Sequence, residues 1–135
     1  SKVELKEKKD RVEDAIYATK AALKEGIVPG GGIALFNAAK KIEPTNVGEE
    51  ALFSSIVAPM ATILDNAGMP THVDLPEEQG HGFNVVTGEV VDMVKEGIID
   101  PVLVTKTALK NAVSVVTTII SADCVISNIR VNESS

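Results

Sequence analysis

A chain of 135 residues, 44% hydrophobic and 24% charged with a mean hydropathy of +0.16, has the length of about one domain and enough apolar side chains for a core, which excludes wholesale disorder. Aromatic residues make up 3% of it with no Trp, and the formal net charge is −6, so base stacking and attraction to a phosphate backbone or an anionic membrane are both disfavoured. The single cysteine, Cys124, calls for no oxidising compartment, and the charged start carries no secretory signal; both fit a bacterial cytosol or an organelle matrix. The most apolar window, residues 112–120, falls short of the ~20 residues that cross a bilayer, so a soluble chain is expected.

In chain order, Leu5, Val12, Ile16 and Leu23, widened by Ala15 and Ala22, predict one amphipathic helix over residues 3–25. Glu4 with Lys8 and Glu7 with Arg11 support its outer side, and Gly26 and Pro29 end it. The turn Gly30, Gly31 and Gly32 precedes a shorter helix that runs through Leu35, Phe36, Ala39 and Ile42 until Pro44. Asn46 with Glu49 resembles a capping box and opens a third helix up to Gly68, kinked at Pro59. Residues 68–82 are rich in breakers and read as an exposed loop. Residues 83–87 suit a short strand or extended turn, and residues 89–96 a short helix stopped by Gly97. Asp100 followed by Pro101 predicts the start of a long helix with Asp100 as its N-cap; length outweighs the strand-like run VSVVTTII. The last segment, CVISNIRV, reads as a terminal strand that needs a partner, and no second convincing strand is evident.

Few residues suggest chemistry on their own. His72 and His81 have no cysteine near them and no helical spacing, so they read as solvated and no metal site is expected. No serine or cysteine sits in a nucleophile motif, and Cys124 reads as a small buried side chain. The three glycines before a helix suit backbone contact with a phosphate, but a plain turn between helices uses the same residues. Asp14 lies roughly 200° around the helix from both Val12 and Ile16, hence off the apolar stripe, where a solvated charge is the plainer account. Asp100 is explained as an N-cap and Asn84 as a turn residue.

The words EKKDRVEDAIYATKAALKEGIVPGGGIAL, GFNVVTGEVVDMVKEGIIDPVLVTKTALKNAVSV and ADCVISNI, in this order, resemble the C-terminal part of group I chaperonins, the GroEL-type subunits. The resemblance implies a mainly α fold: a helical equatorial-domain fragment with a short terminal β-strand. Residues 1–25 then correspond to a helix of the intermediate domain, and residues 26–135 to the C-terminal half of the ATP-binding equatorial domain. It also implies ATP and Mg²⁺ as ligands of the full-length subunit. Asp14 in RVEDA takes the place of the carboxylate that directs the attacking water, and Gly31, flanked by Gly30 and Gly32, that of a nucleotide-contacting glycine. Asn84, Val85 and Val86 match the segment along the base, and Asp100 the carboxylate that binds the ribose.

Two departures stand out. Val85 and Val86 replace a pair of alanines common in relatives, and the loop over residues 69–82 is shorter than in familiar bacterial members. The family's phosphate- and magnesium-binding residues lie mostly in sequence not present here, so the isolated chain is expected to be inactive. The partners implied are other chaperonin subunits in heptameric rings, and a co-chaperonin and unfolded clients that meet an apical domain absent from this chain; no nucleic acid and no membrane is expected. The competing reading is a non-catalytic helical interaction module of chaperonin ancestry.

Overall fold

The computed structural model describes residues 1–71, 75, 78–124 and 126. Its first helix, α1 (Lys2–Glu25), begins at a reciprocal cap: the Ser1 hydroxyl accepts from Glu4 N at 3.2 Å and the Glu4 carboxylate binds the N-terminal amine. Its expected apolar stripe is present but largely uncovered. Only Ala21 is buried, while Leu5, Val12, Ile16 and Leu23 remain exposed and a shallow groove runs along Val12, Ala15, Ile16 and Thr19.

Gly26 leads directly into β1 (Ile27–Pro29), which pairs antiparallel with β4 (Ile99–Pro101) in the register Ile27 to Pro101, Val28 to Asp100 and Pro29 to Ile99. A proline in each strand is tolerated because this two-stranded ladder has only edges. The triglycine turn follows, then α2 (Ile33–Ala39), α3 (Val47–Ile56) and α4 (Ala58–Asn66). The kink expected at Pro59 is a full break at Val57, which leaves Pro59 in the first turn of α4, where its missing N–H costs nothing.

Asn46 caps α3 by accepting from Glu49 N at 3.0 Å, and the Glu49 carboxylate accepts from Thr45 N at 2.7 Å and Thr45 Oγ1 at 2.8 Å. The Thr45 amide and hydroxyl favour the ionised form and hold the Glu49 carboxyl below its ordinary value. This support is complete near neutrality and is lost as pH falls through that lowered value. Asn46→Ala removes the cap and is expected to cost about 1 kcal/mol, read from the urea unfolding midpoint.

Strands β2 (His81–Asn84) and β3 (Glu89–Asp92) form a hairpin in the register His81 to Asp92 and Asn84 to Glu89. Two expectations are corrected here. The short helix over residues 89–96 does not form. Val90 and Val91 pair with β2 instead, and the Asp92 side chain accepts from Val94 N at 3.1 Å and Lys95 N at 3.2 Å, closing a turn where a helix would need its backbone. Second, the chain has strands other than the expected terminal one, all of three or four residues.

The long helix α5 runs over Val102–Ile120, as its length predicts, but Asp100 does not cap it. Pro101 occupies the cap position with no side-chain hydrogen bond, and Asp100 belongs to the ladder. The amide of Val102 donates to Gly26 O at 3.1 Å, so the ladder itself satisfies the helix start. Most of the expected terminal strand lies outside the described residues. Cys124 and Ile126, which are described, belong to no strand, and Cys124 is exposed, against the buried side chain expected.

The core is small. Ile33, Met60, Leu64 and Met93 are buried together, with Phe36, Met69, Leu75, Phe83, Val91 and Ile98 packed around them. No residue of α3 or α5 is buried. By length and composition, Val47–Asn66 and Val102–Ile120 are each apolar enough to cross a membrane, contrary to the expectation from residues 112–120. The first is broken at Val57, and the second carries Lys106, bound to Glu25 of α1 at 2.7 Å, and Lys110.

Candidate functional site

Three of the four segments singled out in the sequence meet at one place. The β1–β4 register sets Asp100 opposite Val28, about 5 Å apart at Cα. The ladder then runs on into the turn, because Gly30 N donates to Ile98 O at 2.9 Å. The triglycine turn is therefore stitched to the strand that carries Asp100.

The glycines are required by close packing as much as by conformation. Gly31 and Gly32 adopt φ of 66° and 80°, and a Cβ at Gly32 would stand 2.7 Å from Met60 N, inside any tolerable contact. A Cβ at Gly30 would lie 3.1 Å from the Ile98 carbonyl, and one at Gly31 2.9 Å from Met93 Cε.

The hairpin brings the third segment. Gly31, Ile33, Phe83 and Val85 line one narrow apolar cleft with Met60, Ile63, Leu64 and Leu75. Its free space is about 20 Å³, room for a water molecule and far too little for a purine. Asn84 accepts from Val86 N at 3.0 Å, the turn role expected of it, and this bond directs Val86 outward, where it is 90% exposed. Of the pair Val85 and Val86, only the first faces the cleft.

Asp14 does not join this cluster. It is exposed on α1, about 16 Å by helical rise before Glu25. The histidines are also placed differently from expectation. His72 lies outside the described residues, whereas His81 is half-buried at the start of β2, its Nδ1 buried and without a partner among the described residues, not solvated.

Asp100 is half-buried, and its carboxylate accepts no hydrogen bond among the described residues. Burial raises its pKa above the ordinary carboxylate value. Between the unfolded and the raised value the folded chain holds more protons, so stability is greatest in acid and declines as pH rises through that interval. Asp100→Asn is accordingly expected to raise the thermal midpoint near neutrality and to leave it unchanged at about pH 3, where both side chains are neutral. Lost capping would produce the opposite sign near neutrality.

The Asp100 carboxylate has free acceptor capacity for hydroxyl or amide donors, and the apolar cleft beside Gly31 admits nothing larger than a water molecule. Among the described residues no three His, Cys, Asp or Glu side chains gather to hold a metal ion. Sequence reasoning missed Phe83, which lines the cleft, and Met93 and Gly82, which pack against Gly31 and Ile33 respectively.

A mainly helical body in which a glycine turn is laced to a carboxylate-bearing strand defines a chaperonin equatorial-type fragment. The sequence profile of the TCP-1/cpn60 chaperonin family matches residues 1–130, and the chain belongs to that family. It is similar in structure to a group III chaperonin solved by crystallography in the open state. The TM-score is 0.65 and the sequence identity 26%, over 78% of this chain and 25% of that one. This chain thus spans about a quarter of that protein's length.

Proposed function

We propose that this chain supplies one part of the ATP site of a protein-folding chaperonin subunit of group I type. Residues 1–25 serve as the intermediate-domain helix and residues 26–135 as the C-terminal half of the equatorial domain. The observation that carries this reading is the ladder from Asp100 to the triglycine turn, in which Val28 faces Asp100 and Gly30 binds Ile98. It joins Asp100, in this reading the acid for the sugar, and the glycine backbone, in this reading the approach to the phosphates, through one ladder.

In this reading Asp100 holds the ribose hydroxyls, Gly30, Gly31 and Gly32 let the chain approach the phosphates, and Asn84, Val85 and Val86 border the base. Asp14 orients the attacking water and accepts its proton. Mg²⁺, when bound, neutralises phosphate charge; its ligands and the rest of the triphosphate cradle are supplied by other parts of the subunit. The exposed apolar sides of α1 and α5 are covered by those parts, by neighbouring subunits of the ring, or by both. Co-chaperonin and clients bind elsewhere on the subunit, in a cytosol or organelle matrix.

Calorimetric titration with Mg·ATP tests the division of labour. The 135-residue chain is expected to bind with a Kd above roughly 1 mM, whereas the full-length subunit binds far more tightly and loses about tenfold on Asp100→Ala. Tight binding by the chain alone, or no loss on Asp100→Ala, contradicts the reading. The narrowness of the cleft favours a second reading, a non-catalytic interaction module acting through its open helical faces; a full-length subunit that assembles but binds no nucleotide would establish it.

A further inference from the structure

Met93 is one of the two most deeply buried large side chains, at 1% exposure, and it contacts the triglycine turn at Gly31, the hairpin at Gly82, and Gly80 and Ile98 beside them. Its backbone forms the middle of a relay: Met93 N donates to Gly80 O at 3.0 Å, Ile98 N donates to Met93 O at 2.8 Å, and Gly30 N donates to Ile98 O at 2.9 Å. Hairpin, Asp100 strand and glycine turn are thereby joined through one residue. Its side chain repeats the connection. Cε lies against Gly31 and Sδ against Gly82, each so close that a Cβ on the glycine would fall at 2.9 Å and 3.1 Å respectively.

We infer that Met93 is a positioning residue: the thioether sets the height of the triglycine turn over the hairpin, and through it the affinity of the site for nucleotide, without touching the ligand. Packing alone asks only for an apolar side chain of this volume. The placement of a slim, unbranched sulfur between two glycines is more specific, because leucine has the volume but forks where methionine threads. The positioning itself stands on the contacts above; its effect on affinity rests on the nucleotide reading.

The test has two arms. In the ¹⁵N-labelled chain, Met93→Leu is expected to shift the amide resonances of Gly30, Gly31, Gly32 and Asn84 while leaving those of α3 in place. Val113→Ala, an apolar truncation on α5 outside this core, should leave the glycine signals in place. Glycine resonances unmoved by Met93→Leu, or moved equally by Val113→Ala, overturn the inference. In the full-length subunit, Met93→Leu should raise the KM for Mg·ATP about tenfold with little change in kcat. Shifted glycine signals with an unchanged KM would uphold the positioning and refute its link to affinity, whereas a Kd insensitive to Asp100→Ala as well would refute the nucleotide reading itself.

Discussion

Asp14→Ala in the full-length subunit is expected to slow ATP hydrolysis by roughly 10²-fold or more, the range of a lost general base, while the Kd for Mg·ATP stays within about threefold. The argument is positional. Asp14 lies off the apolar stripe of α1, is exposed, and forms no ion pair among the described residues, so its carboxylate has no structural duty to lose. Helix stability should therefore be unchanged, and a fall in turnover cannot be assigned to unfolding. Phosphate release at saturating ATP, set beside calorimetric binding, separates the outcomes. Equal losses of rate and affinity would remove the catalytic role and make Asp14 a binding residue.

Gly32→Ala carries the largest expected effect on stability, a loss of roughly 3 kcal/mol that combines the cost of a left-handed alanine with that of overpacking. The clash is with the backbone of Met60, N at 2.7 Å and Cα at 2.9 Å, and α4 cannot move aside without pulling Met60 and Leu64 out of the core. Gly97→Ala is the natural comparison. Its φ of 75° is as unfavourable, but nothing lies within 4 Å of the added methyl, so it should cost only about 1 kcal/mol. Gly31→Ala belongs between them, because the atom in its way is the flexible end of Met93. Urea unfolding of the three variants checks the order; a Gly32 variant no weaker than the Gly97 variant would show that α4 yields.

How far the sequence revealed this arrangement depends on the range of the interactions involved. Helix α1 was legible because its apolar spacing, the Glu7–Arg11 pair and its terminal glycine are all local, whereas Glu4 turns back to the Ser1 cap and away from the expected Lys8. A distortion near Pro59 was legible for the same reason, though as a kink and not as the full break found at Val57. Strands β1 and β4 were not: three residues each, with a proline in both, they exist only because they find one another across some seventy positions. Asp100 illustrates the consequence. Asp followed by Pro is a sound local signal for a helix start, yet long-range pairing with Val28 takes Asp100 into a strand and leaves its carboxylate half-buried, with no hydrogen-bond partner among the described residues. The same holds for residues 89–96, where a hairpin partner and the Asp92 turn prevail over a helical pattern. Within the candidate site, the glycine turn and Asp100 could be named from motif resemblance, whereas Met93 and Gly82 could not. Their importance lies in who their neighbours are, which no local pattern records.

The junction at Gly26 has a mechanical corollary. An added methyl there would meet nothing within 4 Å, and among the described residues the ionic tie across it is the Glu25 to Lys106 pair, worth at most about 1 kcal/mol at an exposed position, beside the Val102 N to Gly26 O hydrogen bond. The 24-residue rod before it is some 36 Å long, so a tilt of roughly 20° at this pivot sweeps Asp14 through an arc of about 6 Å. Small rotations at one residue thus become large displacements of Asp14 relative to the ladder that carries Asp100.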